Sequence, residues 1–283
     1  MDHTIQLKDG RTLGFSEYGD LKGQPIFYFH GWPTSRLQAR YIDSAAKKLK
    51  IRLISIDRPG YGLSSFKKNR TLLQWSDDVT EFADKLSIKT FGVMGVSGGG
   101  PYAAVCAYRI PKRLTRVAIV VGLAPTYIPG LLDNIPLISK IGWEGYAKIP
   151  FFRTMATLLH YLTAKYGPAG LYRYLFAAKA DREVYLDPRV REATKKNFQE
   201  SFKNGYKGVE LDLKLYTTNW GFNIREIKAK VFLFYGEEDK SVSLAMGKYY
   251  ASQIQNSRLK MYPGEGHLIS RTHIDEILRT LIR

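Results

Sequence analysis

Residues 91–108 of the chain read FGVMGVSGGGPYAAVCAY, an apolar run followed by a glycine-rich turn and an alanine-rich segment. The run Phe91–Val96 predicts a buried strand, and Pro101–Tyr108 predicts a helix, since proline is tolerated in the first turn of a helix. The turn Gly95-Val96-Ser97-Gly98-Gly99 between them is typical of a strand–turn–helix unit that exposes a serine hydroxyl above the carboxyl edge of a sheet. Ser97 is therefore the candidate nucleophile. The alternative is a glycine-rich turn that binds a phosphate or nothing.

Strand-like and helix-like segments alternate on both sides of this turn. Short apolar runs predict strands at Pro25–Phe29, Ile51–Ile56, Val117–Val121, Lys230–Tyr235 and Arg258–Tyr262. Apolar residues at helical spacing predict helices at Leu37–Lys50, Trp75–Leu86, Leu244–Ile254 and Ile274–Ile282. The segments Thr4–Lys8 and Thr12–Tyr18 flank Asp9-Gly10 and predict an antiparallel hairpin. We therefore expect an α/β fold with a mostly parallel central sheet and helices on both faces.

The alternation stops after Gly122 and returns near residue 230. Within the interval, helical spacing occurs at Phe151–Tyr161, Leu171–Ala180, Arg189–Phe202 and Gly208–Tyr216. We expect residues 125–220 to form a helical cap inserted into a core made of residues 1–124 and 221–283. The interval is also rich in aromatic residues, including Trp143, Phe151, Phe152, Tyr172, Tyr174 and Phe176. If these side chains line a cavity above Ser97, they favour small apolar or aromatic substrates. The alternative is that they only pack the cap against the core and do not affect substrate choice.

A serine nucleophile needs a base, and His267 is the best-placed of five histidines. It lies in Pro263-Gly264-Glu265-Gly266-His267, a glycine-rich loop after the last predicted strand. We expect His3 and His273 to lie at the surface. For His160, in the inserted region, a packing or surface position is favoured, and a position facing the pocket is the alternative. The remaining histidine, His30, is expected to orient its own loop.

The base in turn needs a carboxylate that holds its tautomer. In this kind of fold the chain order is serine, acid, histidine. Asp239 follows a predicted strand and is the favoured acid, with Glu237 and Glu238 as close competitors. The strand after Ser97 ends without an acidic residue, which removes the main alternative position.

Acyl transfer also needs donors for the oxyanion. The backbone N–H of Gly98, at the start of the helix after the serine, is one candidate. The other is the N–H of Trp32, in the loop His30-Gly31-Trp32-Pro33 after the first apolar run.

The composition of the chain limits the classes of function. The 283 residues carry a formal net charge of +17, but the basic residues are dispersed and do not alternate with aromatics as in single-strand binders. We therefore expect a solvated basic surface and no specific nucleic-acid partner. There is no apolar run of about 18 residues that would span a membrane, and no signal peptide is recognisable. The single cysteine, Cys106, cannot form an internal disulfide or a cysteine-based zinc site. These features favour a cytoplasmic protein; none indicates an oligomeric state.

The segments HGWP, DRPGYGLS, GVSGGG, GEED and PGEGH together resemble the α/β-hydrolase fold superfamily over nearly the whole chain. The HGxP form with a helical cap is similar to the branch that contains small esterases, C–C bond hydrolases, epoxide hydrolases and haloalkane dehalogenases. The resemblance implies Ser97 as nucleophile, Asp239 as acid, His267 as base, Trp32 and Gly98 as oxyanion donors, and no cofactor or metal. It also implies that Asp57 and Arg58, in the second segment, fix the loops beside the site.

The sequence departs from two groups of these relatives, which narrows the activities that the resemblance implies. Epoxide hydrolases and dehalogenases carry an aspartate where this chain has Ser97, and prolyl aminopeptidases differ from it at Trp32 and Gly98. The expected function is hydrolysis of a carboxylic ester, lactone or related small apolar acyl compound through an acyl-enzyme. The alternatives are C–C bond hydrolysis, hydroxynitrile cleavage or cofactor-free oxygenation at the same residues, and a ligand sensor with slow turnover.

Overall fold

A computed structural model of the chain describes residues 2–133, 135–167 and 177–282. Within these ranges one eight-stranded sheet has the spatial order β1-β2-β4-β3-β5-β6-β7-β8. The strands are β1 Asp2–Gln6, β2 Thr12–Gly19, β3 Gln24–Phe29, β4 Ile51–Ile56, β5 Phe91–Val96, β6 Leu114–Val120, β7 Val231–Gly236 and β8 Ser257–Tyr262. The pairs β1–β2 and β2–β4 are antiparallel, and the other pairs are parallel. The predicted α/β architecture is confirmed.

Helices cover the sheet and the loops at its carboxyl edge. They are α1 Asp43–Lys48, α2 Leu73–Lys85, α3 Gly100–Arg109, α4 Leu137–Lys148, α5 Pro150–Tyr166, α6 Lys179–Leu186, α7 Pro188–Ser201, α8 Lys207–Thr217, α9 Leu244–Gln253, α10 Ile269–Thr272 and α11 Ile274–Leu281. In the described part of the chain, no helix combines the length and the apolar character needed to cross a membrane.

Both faces of the sheet are buried. Alternate residues of β3 show this, because Phe27 and Phe29 belong to one apolar cluster while Ile26 and Tyr28 belong to the other. The first cluster includes side chains of α2, α3 and α9, and the second includes side chains of α1 and α11. A strand buried on both faces reads as a continuous apolar run, which is why the central strands were predictable from hydropathy.

Two of the predicted local structures need correction. The first strand is Asp2–Gln6 and not Thr4–Lys8, because residues 7–11 form the turn. Leu7 N–H donates to the Arg11 carbonyl at 2.7 Å, and Arg11 N–H donates to the Asp9 carboxylate at 3.1 Å. The predicted helix Leu37–Lys50 is a 3₁₀ turn over Arg36–Ile42 followed by the shorter α1.

In its described residues, the interval between β6 and β7 contains helices, turns and no strand. The chain leaves the sheet after β6 and returns in β7, which pairs directly with β6 through Val117 and Val231. Helices α5, α7 and α8 match three predicted segments, whereas α4 and α6 were not predicted. Most of the fourth predicted segment, Leu171–Ala180, lies outside the described residues. The division into a core and a cap at residues 125–220 stays a prediction.

Candidate active site

The turn at Ser97 is tight and strained. Ser97 has a backbone φ of +55°, in the left-handed region that costs a non-glycine residue roughly 1 kcal/mol or more. A side chain on Gly95 would collide with the Gly99 carbonyl, and one on Gly99 would collide with the Phe29 carbonyl. The two glycines are therefore required for β3, β5 and α3 to approach each other, and the turn holds the serine at the carboxyl edge of the sheet.

The structure brings Ser97, His267 and Asp239 together. His267 Nε2 lies 3.0 Å from Ser97 Oγ, and His267 Nδ1 lies 2.7 Å from Asp239 Oδ2. Because an ionised carboxylate only accepts hydrogen bonds, Nδ1 carries the proton and the lone pair of Nε2 faces the serine hydroxyl. This arrangement can accept the proton of Ser97 Oγ and stabilise the imidazolium that results.

The acid beside His267 is Asp239, and neither competitor reaches the histidine. The Asp239 side chain is fully buried, and its Oδ1 accepts the backbone N–H groups of Ser241 and Val242 at 2.7 and 2.9 Å. Glu237 and Glu238 are exposed. The turn after β7 therefore aims one of the three neighbouring carboxylates at the imidazole.

The remaining histidines occupy other environments. His30 is fully buried, and its Nε2 accepts the backbone N–H of Arg58 at 3.2 Å. Burial, together with the Arg58 guanidinium, holds the pKa of His30 well below its usual value, so this ring is neutral. His273 is half-buried, 2.9 Å from the Glu265 carboxylate and stacked on Tyr262, and so is less exposed than expected. His3 is exposed, as expected.

The backbones of Trp32 and Gly98 lie side by side next to Ser97. A Cβ placed on Gly98 would lie 3.1 Å from the backbone nitrogen of Trp32, and a Cβ placed on Gly31 would lie 3.4 Å from Ser97 Cβ. Hydrogen bonds hold the carbonyls of this region: Arg58 donates to the His30 carbonyl and, at 2.9 Å, to the Gly31 carbonyl. On the other side, the Tyr216 hydroxyl donates to the Gly98 carbonyl at 2.9 Å.

Asp212, on α8, organises a fully buried polar cluster behind these loops. Its carboxylate accepts hydrogen bonds from the Arg58 guanidinium at 2.7 Å, from Tyr61 at 2.8 Å and from Tyr102 at 2.5 Å, and it also pairs with Arg70. Burial by itself would raise the pKa of Asp212, but the two guanidinium groups hold that pKa far below its usual range. Asp57, in contrast, accepts hydrogen bonds from Arg36 and from the backbone N–H of Leu63, and not from Ser97, His267 or Trp32.

A cavity of about 640 Å³ lies above Ser97. Apart from Ser97, His267 and Trp32, most of its lining is apolar or aromatic: Leu123, Ile138, Trp143, Tyr146, Ala156, Leu159, Tyr185, Val242 and Leu268. Of the aromatics predicted to line it, Trp143 does so, whereas Phe151 is 71% exposed and Phe152 packs on Tyr146 outside the lining. Tyr172, Tyr174 and Phe176 lie outside the described residues.

The helical interval also contributes an imidazole and a carboxylate to the cavity wall. His160, on α5, lies with its ring centroid 5.4 Å from that of Trp32, and Asp181, on α6, contacts the backbone of the His267 loop. The packing of α5 and α6 against neighbouring helices decides both positions, and local sequence carries no signal for it. In the described residues, no group of three or more His, Cys, Asp and Glu side chains is placed to hold a metal ion.

Known proteins resemble this chain over nearly its full length. A family model described as the alpha/beta hydrolase fold matches residues 24–273. An uncharacterized hydrolase of Saccharomyces cerevisiae is 26% identical over 291 residues, covering 99% of this chain and 95% of its own. A bifunctional esterase/perhydrolase of Acinetobacter calcoaceticus is 23% identical over 280 residues, covering 98% and 97%. Among solved structures, the enol-lactonase from Burkholderia xenovorans has a TM-score of 0.69 at 19% identity, covering 99% and 98%.

Proposed function

The chain belongs to the α/β-hydrolase fold family, and from that premise we propose that it is a serine hydrolase that cleaves a carboxylic ester, lactone or related small apolar acyl compound. The observation that carries the proposal is the unbroken hydrogen-bonded chain from Ser97 Oγ through the His267 imidazole to Asp239. A serine hydroxyl is a weak nucleophile until a base removes its proton. His267 is that base, and its hydrogen bond to Asp239 fixes its tautomer.

In the first half-reaction, His267 Nε2 takes the proton of Ser97 Oγ as the oxygen attacks the substrate carbonyl carbon. The carbonyl oxygen becomes an oxyanion, which the backbone N–H groups of Trp32 and Gly98 stabilise. When the tetrahedral intermediate collapses, the bond to the leaving oxygen breaks, and His267 returns the proton to that oxygen. The alcohol departs and the acyl group stays on Ser97.

In the second half-reaction, water replaces the alcohol. His267 removes a proton from the water as its oxygen attacks the acyl carbon, and the same two N–H groups bind the new oxyanion. Collapse releases the carboxylic acid and returns the proton to Ser97 Oγ. Asp239 stabilises the imidazolium in both halves without taking its proton.

The cavity lining supports an apolar acyl or alcohol group of modest size. Helices of residues 125–220, which we propose to be a cap, supply Trp143, Tyr146 and Leu159 to the wall above Ser97. A volume of about 640 Å³ is within the range typical of small-molecule sites. Two similar proteins, an esterase/perhydrolase and an enol-lactonase, are compatible with a proposal of ester and lactone substrates.

A substrate panel with a covalent probe tests the proposal. Chromogenic esters of increasing acyl length and simple lactones should be hydrolysed, with the highest kcat/KM for short and medium apolar acyl groups. A fluorophosphonate should label the wild-type protein once, at Ser97, and should not label Ser97→Ala. Turnover should fall by several orders of magnitude in Ser97→Ala with the fold retained.

Three results would reject the proposal. Retention of more than about a tenth of the wild-type rate by Ser97→Ala would rule out the serine mechanism. A single burst of product without steady turnover would favour a ligand sensor, and cleavage of β-diketones in place of esters would favour C–C bond hydrolysis.

A further inference from the structure

Asp181 joins the helical interval to the loop that carries His267. Its Oδ2 accepts the backbone N–H of His267 at 2.8 Å, and its Oδ1 accepts the backbone N–H of Leu268 at 2.8 Å. The carboxylate thus binds two consecutive amides of the loop from a helix that precedes them by more than 80 residues. Asp181 is only 4% exposed, so these contacts form away from bulk water.

The loop has a gap that fits this carboxylate. A Cβ placed on Gly266 would collide with Asp181 Oδ2 and would lie only 2.6 Å from Asp181 Cγ and 2.7 Å from Oδ1. Gly266 therefore leaves the space that the Asp181 carboxylate fills. This accounts for a glycine directly before the histidine in PGEGH, where φ itself is not in the left-handed region.

The His267 loop needs an anchor of this kind. It contains two glycines, Gly264, with φ of +72°, and Gly266. Because glycine can adopt more backbone conformations than other residues, this loop is flexible unless other contacts hold it. Asp239 holds one ring nitrogen of His267 but does not fix the Cα from which the ring extends. Hydrogen bonds that two amide N–H groups donate to one ionised carboxylate are strong enough to fix that backbone position.

The buried Asp181 carboxyl has surroundings that suit a hydrogen-bond acceptor for the His267 loop. Burial raises the pKa of the Asp181 carboxyl, and the hydrogen bonds from His267 and Leu268 oppose that rise. Both contacts come from N–H donors, so both carboxylate oxygens act as acceptors, as the ionised form requires.

We propose that Asp181 is a positioning residue, which fixes the backbone of His267 so that its imidazole stays in hydrogen-bond contact with Ser97. This inference rests on the proposed function. It adds that proton transfer from Ser97 to His267 depends on the position of α6. The helices between β6 and β7 therefore affect the catalytic base as well as lining the cavity.

Substitutions at position 181 supply the first test. A displacement of about 1 Å at a reacting group can cost about 100-fold in rate, so kcat for a small ester should fall about 10-fold in Asp181→Asn and about 100-fold in Asp181→Ala. Asparagine keeps one acceptor oxygen and should be the milder change. KM should change less than about 3-fold, and the rate of Ser97 labelling by a fluorophosphonate should fall in parallel with kcat. Glu183→Gln, an exposed change on the same helix, is the matched control and should match wild type.

A double-mutant cycle with Gly266 supplies the second test. Gly266→Ala displaces the carboxylate in the wild-type background and should lower kcat about as far as Asp181→Ala does. Once Asp181→Ala has emptied the space, adding Gly266→Ala should cost much less. A purely structural role would show as lower thermal stability with kcat preserved in the folded protein. The Gly266→Ala and Asp181→Asn variants keep the test available if Asp181→Ala does not fold.

The outcomes separate this inference from the proposed function. If wild-type protein neither hydrolyses esters nor labels at Ser97, the proposed function fails. If wild type does both, and Asp181→Ala keeps kcat within about 2-fold or the two substitutions are additive, only the role of Asp181 is overturned.

Discussion

Arg58 and Asp212 form an ion pair whose two side chains are both fully buried, with Nε 2.7 Å from Oδ2. The pair joins the loop after β4 to helix α8. The same guanidinium donates to the carbonyls of His30 and Gly31, so Asp212 acts on the loop of the proposed oxyanion donor Trp32 through Arg58. A single carboxylate from the interval between β6 and β7 thus holds the loop that follows β3, and Asp181 likewise binds the loop that carries His267.

Asp212→Asn should destabilise the protein strongly. The substitution leaves Arg58 and Arg70 buried without a countercharge, and breaking such a pair typically costs about 3 kcal/mol or more. Urea unfolding followed by fluorescence measures the free energy of unfolding. Asp187→Asn, at a helix N-cap where the side chain pairs with Arg189 near the surface, is the control and should lose far less stability. Equal losses in the two variants would show that the buried network does not stabilise the fold.

Asp239→Asn should lower kcat by several orders of magnitude, because an asparagine neither fixes the active tautomer of His267 nor stabilises its imidazolium. Glu237→Gln and Glu238→Gln should stay close to wild type, since both side chains are exposed. Steady-state kinetics on one chromogenic ester compares the three variants. The acid assignment is wrong if Glu238→Gln is more damaging than Asp239→Asn.

The stability of the protein should fall as the pH drops below about 6.5, the usual pKa of histidine in an unfolded chain. The pKa of His30 is well below that value in the folded state, because of burial and Arg58, so in this window only the unfolded state takes up the proton. That uptake removes up to about 1.4 kcal/mol of stability per pH unit. Urea unfolding at a series of pH values should therefore give a shallower pH dependence for His30→Gln than for wild type. Parallel curves would contradict a neutral, buried His30.

Trp143→Ala should change substrate preference more than it changes the chemistry. Its indole lines the cavity above Ser97, so its removal should raise kcat/KM for bulky esters relative to acetyl esters. Phe152→Ala is the matched control, since Phe152 lies on the neighbouring helix but outside the cavity lining. The measured quantity is the ratio of kcat/KM between a bulky and a small ester. An unchanged ratio in Trp143→Ala, with stability lost, would mean that the indole only packs the helices together.

Within the helical interval, prediction from sequence was uneven for physical reasons. Helices α5, α7 and α8 carry clear apolar periodicity and were predicted to within a few residues. Helix α4 contains Gly142 and Gly145, which lower helix propensity, and α6 has only eight residues, too few for a periodic signal. Periodicity also did not separate Trp143, which lines the cavity, from Phe151, which is exposed.

The sequence by itself determined the strand–turn–helix unit at Ser97, the alternation of strands and helices outside the interval between β6 and β7, and a chain order of Ser97, an acid within residues 237–239, and His267. These are local properties: apolar runs, glycines at a tight turn, and loops that follow strands. Only the tertiary structure decided which of three adjacent acids faces His267, that Asp212 is buried among Arg58, Arg70 and three tyrosines, and that Asp181 fills the gap at Gly266. Those relationships join residues far apart in the chain. They depend on how the helices between β6 and β7 pack on one another and on the loops around Ser97, which local periodicity does not specify.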